Sequence, residues 1–247
     1  MNCYTSLAGG YDSLTEDVQY EKRAAFLQKL LAKSTIPVHT VLDLACGTGT
    51  MTCLLAEAGY EMIGVDISED MLSEAAGKTV SPGKIPPIYL QQSMEELDLY
   101  GTVEAAVCCL DSINYLTDAR ALKRALQRLH LFVAPGGVFL FDVNTPCKLR
   151  SLDGQVFLDE REDLYCVWRA EFDRRSRICT YGMDIFERQG ALWRRSLEEH
   201  YEKAWEVEEL KHFLTEAGFG RIRTWGDCRL RAPRQDEQRI YFSCIRE

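Results

Sequence analysis

Histidine is scarce in this chain, four in 247 residues, and no Cys-x-x-Cys pair occurs. Zinc-finger spacing is therefore absent, and no metal site is expected. Positive charge is in deficit: 29 Lys and Arg face 38 Asp and Glu, a net charge of −9. Nucleic-acid binding rests on many Lys/Arg–phosphate contacts, so no nucleic-acid partner is expected. A local stripe of Arg221, Arg223, Arg229, Arg231 and Arg234 reads as solvated sheet edge and turn, with a binding surface as the alternative. No apolar run approaches the length of a membrane span, so no membrane partner is expected. Residues 1–10 form no apolar leader, and most of the ten cysteines sit inside apolar runs such as Cys108-Cys109. A reducing cytoplasm is the expected setting.

What is present is a long alternation of short apolar strands and helices. A helix is expected from a Ser13/Glu16 capping box to about Ala32. Strands are expected at Val41–Ala45, Met62–Asp66, Ile88–Gln91, Ala105–Leu110 and Val138–Val143, the last after a Pro135-Gly136-Gly137 turn. Helices are expected at Met51–Ala58, Glu69–Ala76 and Ala119–Phe132. This rhythm implies right-handed crossovers and a parallel sheet covered on both faces. After Pro146 it changes to consecutive strands joined by tight turns, an antiparallel meander. A helix at Glu206–Ala217 and strands at Phe219–Trp225 and Arg239–Arg246 return to the first pattern. The fold class is α/β: a Rossmann-like doubly wound sheet, mostly parallel with an antiparallel C-terminal strand, and an inserted antiparallel β-meander lid. The divisions are 1–36 as an N-terminal helical lid segment, 37–146 with 202–247 as the Rossmann-like domain, and 147–201 as the substrate lid. A monomer or homodimer fits this organisation.

Gly47 and Gly49 fall between the first strand and its helix. Glycine there lets backbone amides approach a ligand, beside a helix N-terminus that favours negative groups. A tight structural turn gives the same pattern, and so does a dinucleotide site. The dinucleotide fingerprint wants a third glycine at position 52, which is Thr52. Asp66 ends the second strand beside this loop, where a carboxylate can accept from two ribose hydroxyls; capping of the next helix can fall to Ser68 instead.

With Asp43, Ala45, Gly47 and Gly49 at the first turn and Asp66 at the second strand's end, the chain resembles the class I S-adenosylmethionine-dependent methyltransferases. Tyr11-Asp12, the meander and Ala217-Gly218-Phe219 resemble a bacterial small-molecule branch related to sugar N-methyltransferases and glycine N-methyltransferase. The resemblance implies S-adenosyl-L-methionine as cofactor, with Asp43, Ala45, Gly47, Thr48 and Gly49 near its methionine and ribose parts. It implies Asp66 and Ile67 at the ribose and Met71 packed on the adenine. Ser93, in Gln91-Gln92-Ser93-Met94, stands where members often carry an adenine-binding aspartate, with Met94 beside it. Leu110, Asp111 and Ser112 resemble the segment bordering the sulfonium, and Tyr20 opens the helix that lids the cofactor in relatives.

Methyl transfer is an in-line displacement that chiefly needs alignment and dryness, so no fixed triad is expected. Tyr11 and His200 are the candidate catalytic residues; packing tyrosine and structural histidine are the alternative readings. Tyr4, Tyr115, Trp168 and Arg195 are candidate substrate contacts. The expected function is methyl transfer to a small-molecule amine or hydroxyl. A non-catalytic S-adenosylmethionine-binding regulator is the alternative.

Overall fold

The alternation of apolar segments builds one twisted seven-stranded sheet with helices on both faces. The computed structural model describes residues 11–12 and 14–247. Tyr4 and Ser13 lie outside the described residues. Parallel strands β1 (Thr40–Leu44), β2 (Glu61–Asp66), β3 (Ile88–Gln91), β4 (Val103–Cys108) and β5 (Val133–Asn144) alternate with α2 (Thr50–Glu57), α3 (Glu69–Gly77) and α4 (Ala119–Phe132). They follow α1 (Tyr20–Leu31). A short α5 (Pro146–Ser151) leads to a four-stranded antiparallel sheet, β6 (Val156–Glu160), β7 (Leu164–Asp173), β8 (Ile178–Gln189) and β9 (Leu192–Lys203). The chain then returns through α6 (Val207–Glu216), β10 (Phe219–Gly226) and β11 (Arg239–Arg246).

The large sheet runs β10-β11-β5-β4-β1-β2-β3, and β11 pairs antiparallel with both neighbours. The strand order reverses between β1 and β4, the switch point where open α/β sheets bind ligands at their carboxyl ends. The two-residue side-chain period sorts the core. Leu42, Leu44, Phe139 and Phe141 pack under α4 and α6, while Val41, Val107 and Leu140 pack under α1 and α2. Burial of the apolar faces of these helices supplies the main drive for the layered fold.

Three differences from the sequence expectations have physical causes. The first helix does not run unbroken from residue 13, because Gln19 sits at φ 58° and separates a single 3-10 turn at Glu16–Val18 from α1. Helix α1 packs Phe26, Leu27, Leu30 and Leu31 against the sheet. Pro135-Gly136-Gly137 is a bulge inside β5 rather than a turn before it, marked by a register shift against β4. Helix α5 had no periodic signal, being one turn and a half; Thr145 caps it through Lys148 N, and Pro146 begins it.

Candidate functional site

The carboxyl ends of β1, β2, β3 and β4 enclose a cavity of about 280 Å³. Its floor is the turn after β1, where Ala45, Gly47 and Gly49 take φ of 58°, 54° and 72°. The glycines do different things. A Cβ on Gly47 meets nothing within 4 Å, and Gly47 lines the cavity. A Cβ on Gly49 meets the Tyr89 hydroxyl at 2.5 Å and Ala75 at 2.9 Å. Gly49 is therefore required by Tyr89 packing from β3, and it is not on the cavity wall.

Asp66 closes the turn from the next strand. Its Oδ2 accepts from Gly47 N at 2.8 Å and its Oδ1 from Ser68 N at 2.9 Å. Ser68 Oγ accepts from Met71 N, so the cap of α3 belongs to Ser68 and Asp66 stays on the cavity wall. Burial raises the Asp66 pKa against those amide bonds. Asp43 lies deeper, 1% exposed, on the α2 face beside Val41. Burial pushes its pKa up to about 7, although Thr52 Oγ1 donates to it at 2.6 Å.

One end of the cavity is walled by Ile67, Met71, Gln92, Ser93 and Met94. Ser93 Oγ faces Glu96 at 3.1 Å. The other end, at β4, is walled by Cys109, Leu110, Ser112 and Tyr115, with Tyr11 and Tyr20 beside them. The segment carrying Tyr11 is tied to the floor by its neighbour. Asp12 Oδ1 accepts from Thr48 Oγ1 at 2.6 Å and Thr50 Oγ1 at 3.3 Å, and its Oδ2 pairs with Lys78 at 2.5 Å. Burial opposes ionisation of Asp12, but Lys78 and Thr48 hold its pKa below the usual value.

Several expected site residues lie elsewhere. Asp111 is not on the wall; its carboxylate pairs with Arg239. His200, 2% exposed, stands behind Tyr115 with ring centroids 5.8 Å apart, and its Nε2 lies 3.0 Å from Glu198 Oε2. Trp168 packs with Leu14, Cys166 and Met183 on the inner face of the meander, off the cavity wall. Arg195 pairs with Phe186 in the β8–β9 register, three residues from Met183, so it falls on the opposite face and binds Asp184. The cavity wall thus carries none of Asp111, Gly49, His200, Trp168 and Arg195. Conversely, Cys46, Thr50, Met51, Gln92, Cys109 and Leu116 line the cavity without having been singled out. Cys46 and Thr50 adjoin the glycines in sequence, a signal that was open to use.

A methyltransferase-domain family model matches residues 41–137. YqeM of Bacillus subtilis (strain 168), assigned as a methyltransferase with no substrate in its name, is 31% identical over 241 residues, covering 97% of this chain and 95% of that protein. The chain belongs to the class I S-adenosylmethionine-dependent methyltransferases. A crystal structure of an S-adenosylmethionine-dependent methyltransferase from Clostridium acetobutylicum ATCC 824 superposes on this methyltransferase with a TM-score of 0.86 at 29% identity, covering 99% of each chain. CalS10, an amino pentose methyltransferase from Micromonospora echinaspora solved with S-adenosylmethionine bound, shares the fold with a TM-score of 0.76 at 20% identity, covering 96% of each chain. S-adenosylmethionine is the cofactor of this methyltransferase. Among the described residues no cluster could hold a metal ion, and no helix is long and apolar enough to cross a membrane.

Proposed function

We propose that the cavity is the S-adenosylmethionine site and that the methyl acceptor is a small-molecule amine or hydroxyl. The observation that carries the reading is Asp66. Its carboxylate ends β2 on the cavity wall, fixed by Gly47 N and Ser68 N, and each oxygen keeps a lone pair for a ribose hydroxyl. Ile67, Met71 and Met94 offer an apolar slot for a purine, with Gln92 and Ser93 at its polar edge. Thr48 and Thr50 stand at the start of α2, where amides and the helix dipole suit a carboxylate. These residues fit the cofactor's apolar, diol and zwitterionic parts in that order along the cavity.

The bound cofactor supplies a methyl group already activated by a sulfonium. The protein's residues must align the acceptor and keep water out. Tyr11, Tyr20 and Tyr115 at the β4 end offer ring faces that attract a cation, whether sulfonium or substrate ammonium. No Lys or Arg stands among the described wall residues, so nothing there draws an anionic acceptor. The sugar and glycine N-methyltransferase relatives, including the glycine/sarcosine enzyme of Halorhodospira halochloris at 22% identity, are consistent with an amine. A hydroxyl acceptor needs a proton acceptor, and the Glu198–His200 pair, in ring contact with the wall residue Tyr115, is the candidate for it.

The test is calorimetry with S-adenosylhomocysteine, the demethylated product. Low-micromolar binding is expected, about −8 kcal/mol. Asp66→Ala should weaken it by roughly tenfold to a hundredfold, the worth of a charge-assisted hydrogen bond or two. Undiminished binding in that variant removes the ribose assignment. Turnover of labelled S-adenosylmethionine against a panel of small amines and aminosugars then identifies the acceptor class.

A further inference from the structure

The loop after β4 is bent into a conformation that its residues disfavour. Leu110 and Asp111 have φ of 56° and 55°, consecutive left-handed residues that both carry a Cβ. Such a pair persists only where the surroundings over-determine it. Here the surroundings are two side chains with no part in the methyl-transfer reading above. Asp142, from β5, is 0% exposed; its Oδ1 accepts from Leu110 N at 2.9 Å and its Oδ2 from Asp111 N at 3.2 Å. Arg239, the first residue of β11, pairs with the Asp111 carboxylate at 2.5 Å and also with Asp142. The turn is then closed by Asn114 N to Asp111 O at 2.7 Å and by Ser112 Oγ to Cys109 O at 2.7 Å.

The clamped residues are the cavity wall. Cys109, Leu110 and Ser112 face the cavity at its β4 end, while Asp111, between them, turns away to Arg239. One guanidinium satisfies two buried carboxylates, and those carboxylates satisfy two otherwise free amides. Removing the arginine takes the ion-pair partner from both carboxylates and leaves Lys148 as a positive neighbour of Asp111, which is costly and pushes the loop towards another conformation. The purine-side wall, from Ile67 to Met94, follows β2 and β3 and takes no part in these hydrogen bonds and ion pairs.

We infer that Asp142 and Arg239 are positioning residues, which hold the Leu110–Asp111 backbone so that Cys109, Leu110 and Ser112 fit the amino-acid and sulfonium end of the ligand. This rests on the reading of the cavity as the S-adenosylmethionine site. The role belongs to affinity for one end of one molecule, which separates it from a merely structural one.

The experiment compares S-adenosylhomocysteine, which spans the cavity, with adenosine, which reaches only the purine and ribose end. Both are titrated into the full chain by calorimetry, adenosine by competition. Arg239→Met and Asp142→Asn are expected to weaken S-adenosylhomocysteine roughly tenfold or more while changing adenosine less than about twofold. Arg239→Lys, which restores the charge without the fork, should recover part of the loss. Should Arg239→Met not fold, Arg239→Met combined with Asp111→Asn leaves one fewer unpaired carboxylate and gives the same split. Equal losses for the two ligands, or none for either, overturn the inference while leaving the cavity reading intact. Failure of the unaltered chain to bind S-adenosylhomocysteine overturns the cavity reading first, and this inference with it.

Discussion

At the scale of single residues, the site is governed by carboxylates that the fold takes out of water. Asp43 is pushed up to about 7, first by burial and then by the nearby Asp66 carboxylate, against one hydrogen bond from Thr52. Glu202 is pushed up to about 8, first by burial and then by Asp111, although Asn144 Nδ2 donates to it at 2.8 Å. Both values lie above the ordinary 3.8 and 4.5. The folded chain therefore holds protons that the unfolded chain has released. The stabilisation is complete below the ordinary values and is lost as pH rises through the raised ones. Between about pH 5 and 8 stability should fall with rising pH, by up to ~1.4 kcal/mol per unit for each such proton. Asp43→Asn and Glu202→Gln should each flatten that slope, as read from melting temperatures across the range; a slope unchanged in both variants refutes the assignment. The acidic character of Asp43 was legible in the sequence beside the glycines. Its protonation was not, because it depends on Thr52 and Asp66 meeting it across the turn.

At the scale of elements, the β1–turn–α2 unit shows how similar letters acquire different duties. Gly47 is open towards the cavity, whereas Gly49 is fixed by φ 72° and by the Tyr89 hydroxyl. Gly49→Ala should destabilise the protein by about 2 kcal/mol or more, from left-handed strain and overpacking together. Tyr89→Phe in that background removes the nearest clashing atom and should return part of the loss in chemical denaturation; no recovery at all would show that φ alone dictates the glycine. The elements themselves were largely legible: Ile88–Gln91, Ala119–Phe132 and Arg239–Arg246 have the expected bounds, because strong periodicity survives without context. The break at Gln19 was hidden, since glutamine carries no left-handed preference to announce it.

At the scale of the whole molecule, two sheets must be joined beside the turn that borders the cavity. Asn114, 0% exposed, does much of the joining. Its Nδ2 donates to Asn144 O at 3.0 Å on β5 and Lys203 O at 2.9 Å on β9, and its Oδ1 accepts from Asn144 N at 3.1 Å. The same residue belongs to the turn that presents Ser112 and Tyr115 to the cavity. Asn114→Ala leaves these backbone groups unpaired in the interior and should cost about 2–4 kcal/mol in denaturant unfolding. A loss below about 0.5 kcal/mol, the level of ordinary surface substitutions, would mean that water or rearrangement replaces the seam.

The sequence alone determined the order and type of the elements, the parallel sheet, and the turn at residues 45–49 with Asp66 beside it. Those features follow from local periodicity and from the handedness of βαβ connections, which brings the ends of consecutive strands together without further information. Tertiary structure alone decided which distant side chains meet. Asp12 reaches Thr48 across 36 residues, and Arg239 reaches Asp111 across 128. It also decided that the meander turns Trp168 inward and Arg195 outward. Neither kind of fact leaves a local signature: a long-range pair is specified only by the closed fold, and a strand's facing flips with a register shift of a single residue.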